Sequence, residues 1–347
     1  MAEKKRLQVG IAGCGWIARN LMLINMIDRM REISFVAAMD VNEQVATRFS
    51  KRFHIKKAYM NFESMLEDPA VDAVYVAVPH HLHRSMVTKA LDAGKHVLCE
   101  KPIAISIPDG IAMAELADKK GLKLGINYMY RYDKNMYRMV NSVRSGNIGT
   151  PYYAIVQIPW FRKPSYFEKS PWHKKWETSG GGTLITQTSH AIDLMAWAMG
   201  KPATISGEIG TFRFGNIGLE VEDVGIGSVR FESGALGVIL GSQATKPQKP
   251  DQIGFYGEKG SIECTYWYSF IARLHCRYVK RTSLKPPTRG LASITSSFRG
   301  FARWVLDGSP YLCTAWDALK PLYIVTALYE SAKSGKKIHC TSLDWWR

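Results

Sequence analysis

No stretch of the 347-residue sequence approaches the roughly 18 consecutive apolar residues that a membrane-spanning helix requires. This argues against a bilayer protein. The opening segment "MAEKKRLQVGIAG" is charged but has no signal-peptide cleavage pattern. Cysteine is sparse and scattered: Cys14, Cys99, Cys264, Cys276, Cys313 and Cys340 include no CxxC pair, so neither a disulfide framework nor a zinc ribbon is expected. A reducing, cytoplasmic setting follows as the expectation. Acidic residues are missing altogether between Glu263 and Asp307, where Arg273, Arg277, Lys280, Arg281, Lys285, Arg289, Arg299 and Arg303 all fall. They contribute to a formal charge of +16. No RNA- or DNA-binding motif accompanies that charge, so a nucleic-acid partner is not expected. A solvated basic face or attraction of an anionic substrate or cofactor remains. Neither an internal repeat nor a low-complexity linker is present, and the length suits two ordinary domains.

What is there begins with "LQVGIAGCGWIARNLM", an alternating apolar run that ends in Gly13-Cys-Gly15-Trp-Ile-Ala18. This fits G-x-G-x-x-G/A: a glycine for the tight turn, one for close approach to a pyrophosphate, and a small residue for helix–strand packing. A second strand, "SFVAAMD", ends at Asp40, where a carboxylate can hold ribose hydroxyls. Strand and helix signals then alternate through "VDAVYVAVP", "HRSMVTKALDAG", "HVLCE", "IPDGIAMAELADKKG" and "LKLGINY", which predicts a doubly wound parallel sheet. Ligands of such sheets bind outside the carboxyl ends of the strands. The cofactor contacts expected there are Gly13, Gly15, Trp16, Ile17, Asp40, Pro79, His80, His83, Glu100, Lys101 and Asn127. His80, His81 and His83 in "PHHLHRS" invite a metal reading, but no nearby carboxylate or cysteine completes a ligand set, and no metal is expected.

From about Pro151 the strands lengthen and alternate, with Gly-containing turns such as "ESGA" and "GEKG" between neighbours, as in antiparallel hairpins. The fold class expected is α/β plus α+β. A dinucleotide-binding Rossmann domain would occupy residues 1–125. A substrate-binding and oligomerisation domain, built on a large and mainly antiparallel sheet, would occupy residues 126–347. A glycine-entered helix, "GGGTLITQTSHAIDLMAWAMG", places Thr186, His190 and Asp193 at spacings that can share a face. From spacing alone, His190 is as well explained as a satisfied core histidine.

These segments, "GIAGCGWIA", "VAVPHHLH", "GKHVLCEKPIA", "GINYMYRY", "SGGGTLITQTSHAIDL" and the terminal "ALYESAKSGKKI", resemble in order and spacing the glucose-fructose oxidoreductase/inositol dehydrogenase (Gfo/Idh/MocA) family over nearly the whole chain. The resemblance implies catalytic roles for Lys101 and His190. His190 would exchange the hydroxyl proton, and Lys101, oriented by Glu100, would stabilise the alkoxide while hydride moves to or from NAD. Candidate substrate contacts are Tyr128, Arg131, Trp172, His173 and Asp193. The implied substrates are sugars, derivatised sugars including nucleotide-linked ones, or cyclitols, and the implied assembly is a homo-oligomer, dimer or tetramer. Thr186 stands where many members carry an aspartate, so a carboxylate relay to His190 is not expected. Two alternatives of the same fold stay open: an NAD-dependent glycosidase and a non-catalytic dinucleotide-sensing regulator.

Overall fold

A computed structural model describes residues 6–267, 271–277, 279, 284–341 and 344–346. The chain divides into two compact units, Met1–Asp133 with Pro286–Ala318, and Lys134–Lys285 with Leu319–Arg347. Among the described residues no helix is long and apolar enough to cross a membrane.

In the first unit, strands β1 (Leu7–Ala12), β2 (Ile33–Met39), β3 (Lys57–Tyr59), β4 (Ala73–Val76), β5 (His96–Cys99) and β6 (Leu124–Ile126) form a parallel sheet ordered β3-β2-β1-β4-β5-β6. The crossovers are helices α1 (Trp16–Asp28), α2 (Glu43–Phe53), α3 (Phe62–Leu66), α4 (His83–Asp92) and α5 (Ile107–Lys120). Local chemistry sets their ends. In α5 the Ser106 side chain accepts from the Asp109 amide, Pro108 lies in the first turn, and Gly121 terminates the helix at a φ of 65°. Strand β4 is buried throughout, as a central parallel strand covered on both faces should be.

The division of the chain differs from the expected cut at residue 125. The first unit extends to Asp133 and regains residues 286–318. The cause is packing. Helix α10 (Ser293–Asp307) sets Phe298 against Tyr75, with ring centroids 4.7 Å apart, and against Phe35 at 6.2 Å. Arg299 pairs with Asp28 at 2.9 Å and Glu32 at 3.3 Å, and Arg303 with Glu32 at 3.5 Å. Residues following α10 then line the open edge of β6, through a Gly125–Thr314 bridge and an Ile126 amide donating to the Cys313 carbonyl at 3.0 Å. Part of the basic run read from the sequence is therefore tied into ion pairs. Lys280 and Arg281 lie outside the described residues.

The second unit holds helix α6 (Lys134–Arg144), strand β7 (Pro151–Pro159), short helices α7 (Pro164–Lys169) and α8 (Trp176–Ser179), helix α9 (Ser189–Met199), and strands β8 (Pro202–Gly210), β9 (Val224–Phe231), β10 (Leu236–Ser242), β11 (Asp251–Gly257), β12 (Gly260–Trp267) and β13 (Ile271–Arg277). Helix α11 (Ala315–Ser334) and strand β14 (Ile338–His339) follow α10. The sheet order is β13-β12-β11-β7-β10-β9-β8-β14, antiparallel except where β7 runs parallel to β10. Helices cover one face closely enough that Gly227 and Gly237 oppose Leu328 of α11 and Met195 of α9. The other face leaves Ile226, Leu236 and Val238 about half exposed.

Candidate active site

The first unit offers a dinucleotide cradle at the carboxyl end of its sheet. Gly13 has a φ of 93°, and a Cβ there would run into the Ala77 carbonyl, so only glycine fits this turn. Gly15 has nothing within 4 Å of where a Cβ would stand. It opens onto the first turn of α1, which no side chain caps, so orphan amides face the space where a pyrophosphate belongs. Trp16 is exposed and Ile17 half-buried at that turn. Asp40 is fixed by the Cys14 amide on one carboxylate oxygen and the Asn42 amide on the other, both at 3.0 Å. Lone pairs remain on both oxygens for ribose hydroxyls. These residues fit NAD. Cys14 itself is buried, and desolvation, with the Asp40 charge adding to it, pushes its thiol up to about 12, so it stays protonated.

The "HVLCEKPIA" segment turns from β5 into a loop carrying Lys101, which is half-buried. Glu100 is engaged inside the unit: its Oε1 accepts from the Tyr75 hydroxyl at 2.6 Å and from the Asn127 amide at 2.7 Å. Burial raises its pKa, opposed by these bonds and by the Lys101 charge. Asn127 in turn accepts from Ser297, whose hydroxyl meets that of Tyr311 at 2.8 Å. The side chains of Glu100 and Asn127 are thus parts of one hydrogen-bond network at the end of β5, next to Lys101 in the chain. His83 is likewise fully buried, its Nδ1 2.7 Å from the Pro102 carbonyl and its Nε2 3.0 Å from that of Val78. Desolvation lowers its pKa to about 4. It ties the loop of Pro79 to the loop of Lys101. Neighbouring His80 is 6% exposed and tilts against its ring.

Arg131 and Tyr128, expected at the substrate, are each 1% exposed. The Arg131 guanidinium donates to the Leu312 carbonyl and lies 3.7 Å from Asp317, all within the first unit. Residues far along the chain engage it there.

In the second unit the glycines of "SGGG" lead into a π-helical turn, Leu184–Thr188, followed without a break by α9. Glu222 anchors this entry. Its carboxylate accepts from the amides of Gly182 at 2.7 Å and Leu184 at 2.9 Å and from the Tyr329 hydroxyl at 2.9 Å. A Cβ on Gly182 would collide with the Glu222 carbonyl, which explains the glycine. Burial holds the Glu222 carboxyl up at about 7. Thr186 turns its hydroxyl to the Gly182 carbonyl at 2.6 Å, and Asp193 is fully buried. His190 is half-buried one turn beyond Gln187. A π turn within a helical run is frequent at functional sites, because the extra residue re-aims side chains. Near it, His173 stacks on Tyr166 at 4.7 Å, with its Nε2 3.0 Å from the phenol, and on Trp172 at 3.6 Å. Sequence reasoning singled out His190, Trp172 and His173 but missed Glu222, Arg162, Gln187 and Gln243. Nothing in "WFRKP" or "TQTSH" distinguishes these from solvated polar residues.

Among the described residues no three His, Cys, Asp or Glu side chains converge as metal ligands. Comparison with known proteins gives two family matches. Residues 7–128 match the GFO/IDH/MocA "Oxidoreductase family, NAD-binding Rossmann fold", and residues 137–263 match the "GFO/IDH/MocA C-terminal domain". The chain is 28% identical to myo-inositol 2-dehydrogenase of Thermotoga maritima over 74% of each chain. It is 30% identical to 1,5-anhydro-D-fructose reductase of Ensifer adhaerens over 73% of this chain and 74% of that one. Its fold is similar to that of the WlbA dehydrogenase from Bordetella pertussis, solved in complex with NADH and UDP-GlcNAcA, at a TM-score of 0.86 and 24% identity, covering 97% of this chain and all of that one.

Proposed function

The chain belongs to the GFO/IDH/MocA oxidoreductase family, and on that footing we propose that it moves hydride between NAD and a hydroxyl or keto carbon of a sugar, derivatised sugar or cyclitol. The observation that carries this reading is the pairing, in one chain, of an open glycine cradle at an uncapped helix with a π-turned helix that presents His190. Gly13, Gly15 and the α1 amides would hold the pyrophosphate, and Asp40 the ribose. Bound NAD supplies the hydride acceptor or donor. His190 takes the hydroxyl proton in oxidation or returns it in reduction, a task suited to an imidazole near neutrality. Lys101, held on its loop by the buried Glu100 network and by His83, offers an ammonium to the oxygen on which negative charge develops. An inositol dehydrogenase and an anhydrofructose reductase among the relatives support the substrate class.

The test is nicotinamide absorbance across a panel of inositols, free sugars and sugar acids, with wild type and His190→Ala. Turnover on at least one member is expected, and it should fall by roughly 10²–10⁴ in the variant, with NADH affinity preserved. A panel that never changes the absorbance, or a variant that keeps its turnover, defeats the reading.

A further inference from the structure

Beyond the end of β7, the segment Trp160–Arg162 is bound to the end of β10. The Trp160 amide donates to the Ser242 carbonyl at 2.9 Å and the Arg162 amide to the Gln243 carbonyl at 2.8 Å. This places the Arg162 guanidinium between two rings, 4.8 Å from the centroid of Trp160 and 4.7 Å from that of Tyr166. Two aromatic rings adjoin the cation, and its N–H groups remain the means of hydrogen bonding. Its Nε is buried and meets no acceptor. No carboxylate among the described residues pairs with it. The carboxylate of Asp251 accepts from the Trp160 indole at 2.5 Å.

Two glutamines adjoin this cation. Gln243 is 2% exposed and its Oε1 has no partner. Gln187, 6% exposed, turns its amide toward the Tyr166 phenol, to which it is hydrogen-bonded, and its Oε1 has no partner. Buried polar groups left in this state cost stability that a matching ligand recovers. The unmet set is specific: the guanidinium Nε–H for an oxyanion, and two amide oxygens for hydroxyl donors. Outside it, Arg213 and Lys246 stand 4.9 and 5.9 Å from the Phe161 ring and add positive potential at the rim. Gln187 belongs to the π turn, three residues before His190, so the set adjoins the helical run that carries the proposed proton-transfer residue.

We propose that Arg162, with Gln187 and Gln243, binds an oxyanion carried by the substrate, so that this protein acts on acidic sugars, bearing a carboxylate or a phosphate, in preference to neutral ones. The proposal rests on the reading of the His190 helix as the substrate side of a hydride-transfer enzyme. Arg162 is a specificity residue: it selects the substrate and leaves the proton chemistry to His190.

Calorimetric titration of the NADH-loaded, full-length protein with D-glucuronate, D-glucose 6-phosphate and D-glucose at one ionic strength tests it without requiring turnover. One acidic sugar should bind wild type at least about tenfold more tightly than glucose, and which one identifies carboxylate or phosphate. Arg162→Met should lose roughly 10–100-fold for that ligand, the scale of charged hydrogen bonds, while its affinity for NADH and its melting temperature stay near wild type. Arg162→Lys, which keeps the charge without the fork, should fall between and decides the matter if the methionine variant does not fold. Acidic sugars that bind no better than glucose, or a preference that survives either substitution unchanged, overturn the proposal. Tight, Arg162-dependent binding with no change in nicotinamide absorbance on any panel member would instead defeat the hydride-transfer reading alone.

Discussion

At Asp40 both carboxylate oxygens are already oriented by backbone amides, Val41 is exposed beside it, and Glu43 opens α2. A 2′-phosphate would meet this carboxylate with no arginine in the segment to neutralise it. Like charges about 4 Å apart cost about 1–4 kcal/mol between water and a protein surface, so NADH should bind more tightly than NADPH by roughly tenfold or more. Equal or tighter NADPH binding in titrations at one ionic strength would contradict this. Arg131 makes the opposite kind of prediction. Buried against the Leu312 carbonyl and Asp317, it should be needed for folding: Arg131→Met should lose up to about 3 kcal/mol of stability. An unchanged melting temperature with a raised KM would return Arg131 to the substrate. The contrast between these residues shows what was legible. The glycine turn and Asp40 are set by chemistry within a few positions of one another, and the sequence displays it. Whether Arg131, Asn127 or His83 faces a ligand depends on burial by Ser297, Leu312, Asp317 or the Pro102 carbonyl, partners that hydrophobic patterning does not reveal.

Helices and strands were legible where the apolar period and the terminating glycines agree, as in α5 with Ser106 and Gly121 and in the hairpin of β9 and β10 around "ESGA". The π turn at Leu184–Thr188 was not, since one added residue per turn leaves composition unchanged and only slightly blurs the period. Its anchor, Glu222, makes this element sensitive to pH. The folded carboxyl titrates at about 7 against an ordinary 4.5, so the native state holds a proton that the unfolded chain releases. Stability from this group is full below about 4.5 and is lost as pH rises through 7, on the order of 3 kcal/mol in all at 1.36 kcal/mol per unit. His83 works in the other direction, because its folded value of about 4 lies below the ordinary 6.5 and its contribution grows as pH rises between the two. The wild-type melting temperature therefore contains opposing slopes. Glu222→Gln should lower it overall, since an amide cannot accept from both the Gly182 and Leu184 amides. It should also make the melting temperature rise more steeply between pH 5 and 7 than in the wild type. Parallel curves would show that Glu222 does not hold its proton.

For the molecule as a whole, the division of the chain sets what can stand alone. A fragment ending at Asp133 lacks Phe298, which covers Phe35 and Tyr75, lacks Arg299, which pairs with Asp28 and Glu32, and leaves the edge of β6 open. It should melt without cooperativity and bind a hydrophobic dye. Joining residues 286–318 to it through a flexible linker should restore a sharp transition and NADH binding. A fragment that melts cooperatively by itself would show that α10 is dispensable.

The return of α10 to the first sheet also fixes an order of events during biosynthesis. The strands of that sheet leave the ribosome first, yet the helix that covers Phe35 and Tyr75 is translated only after some 150 further residues of the other unit. At 5–20 residues per second, the nascent chain spends roughly 8–30 s with this surface uncovered. For that interval the cofactor unit is a client for whatever shields apolar surface in the cell, and ligand binding cannot rescue it until α10 has been made.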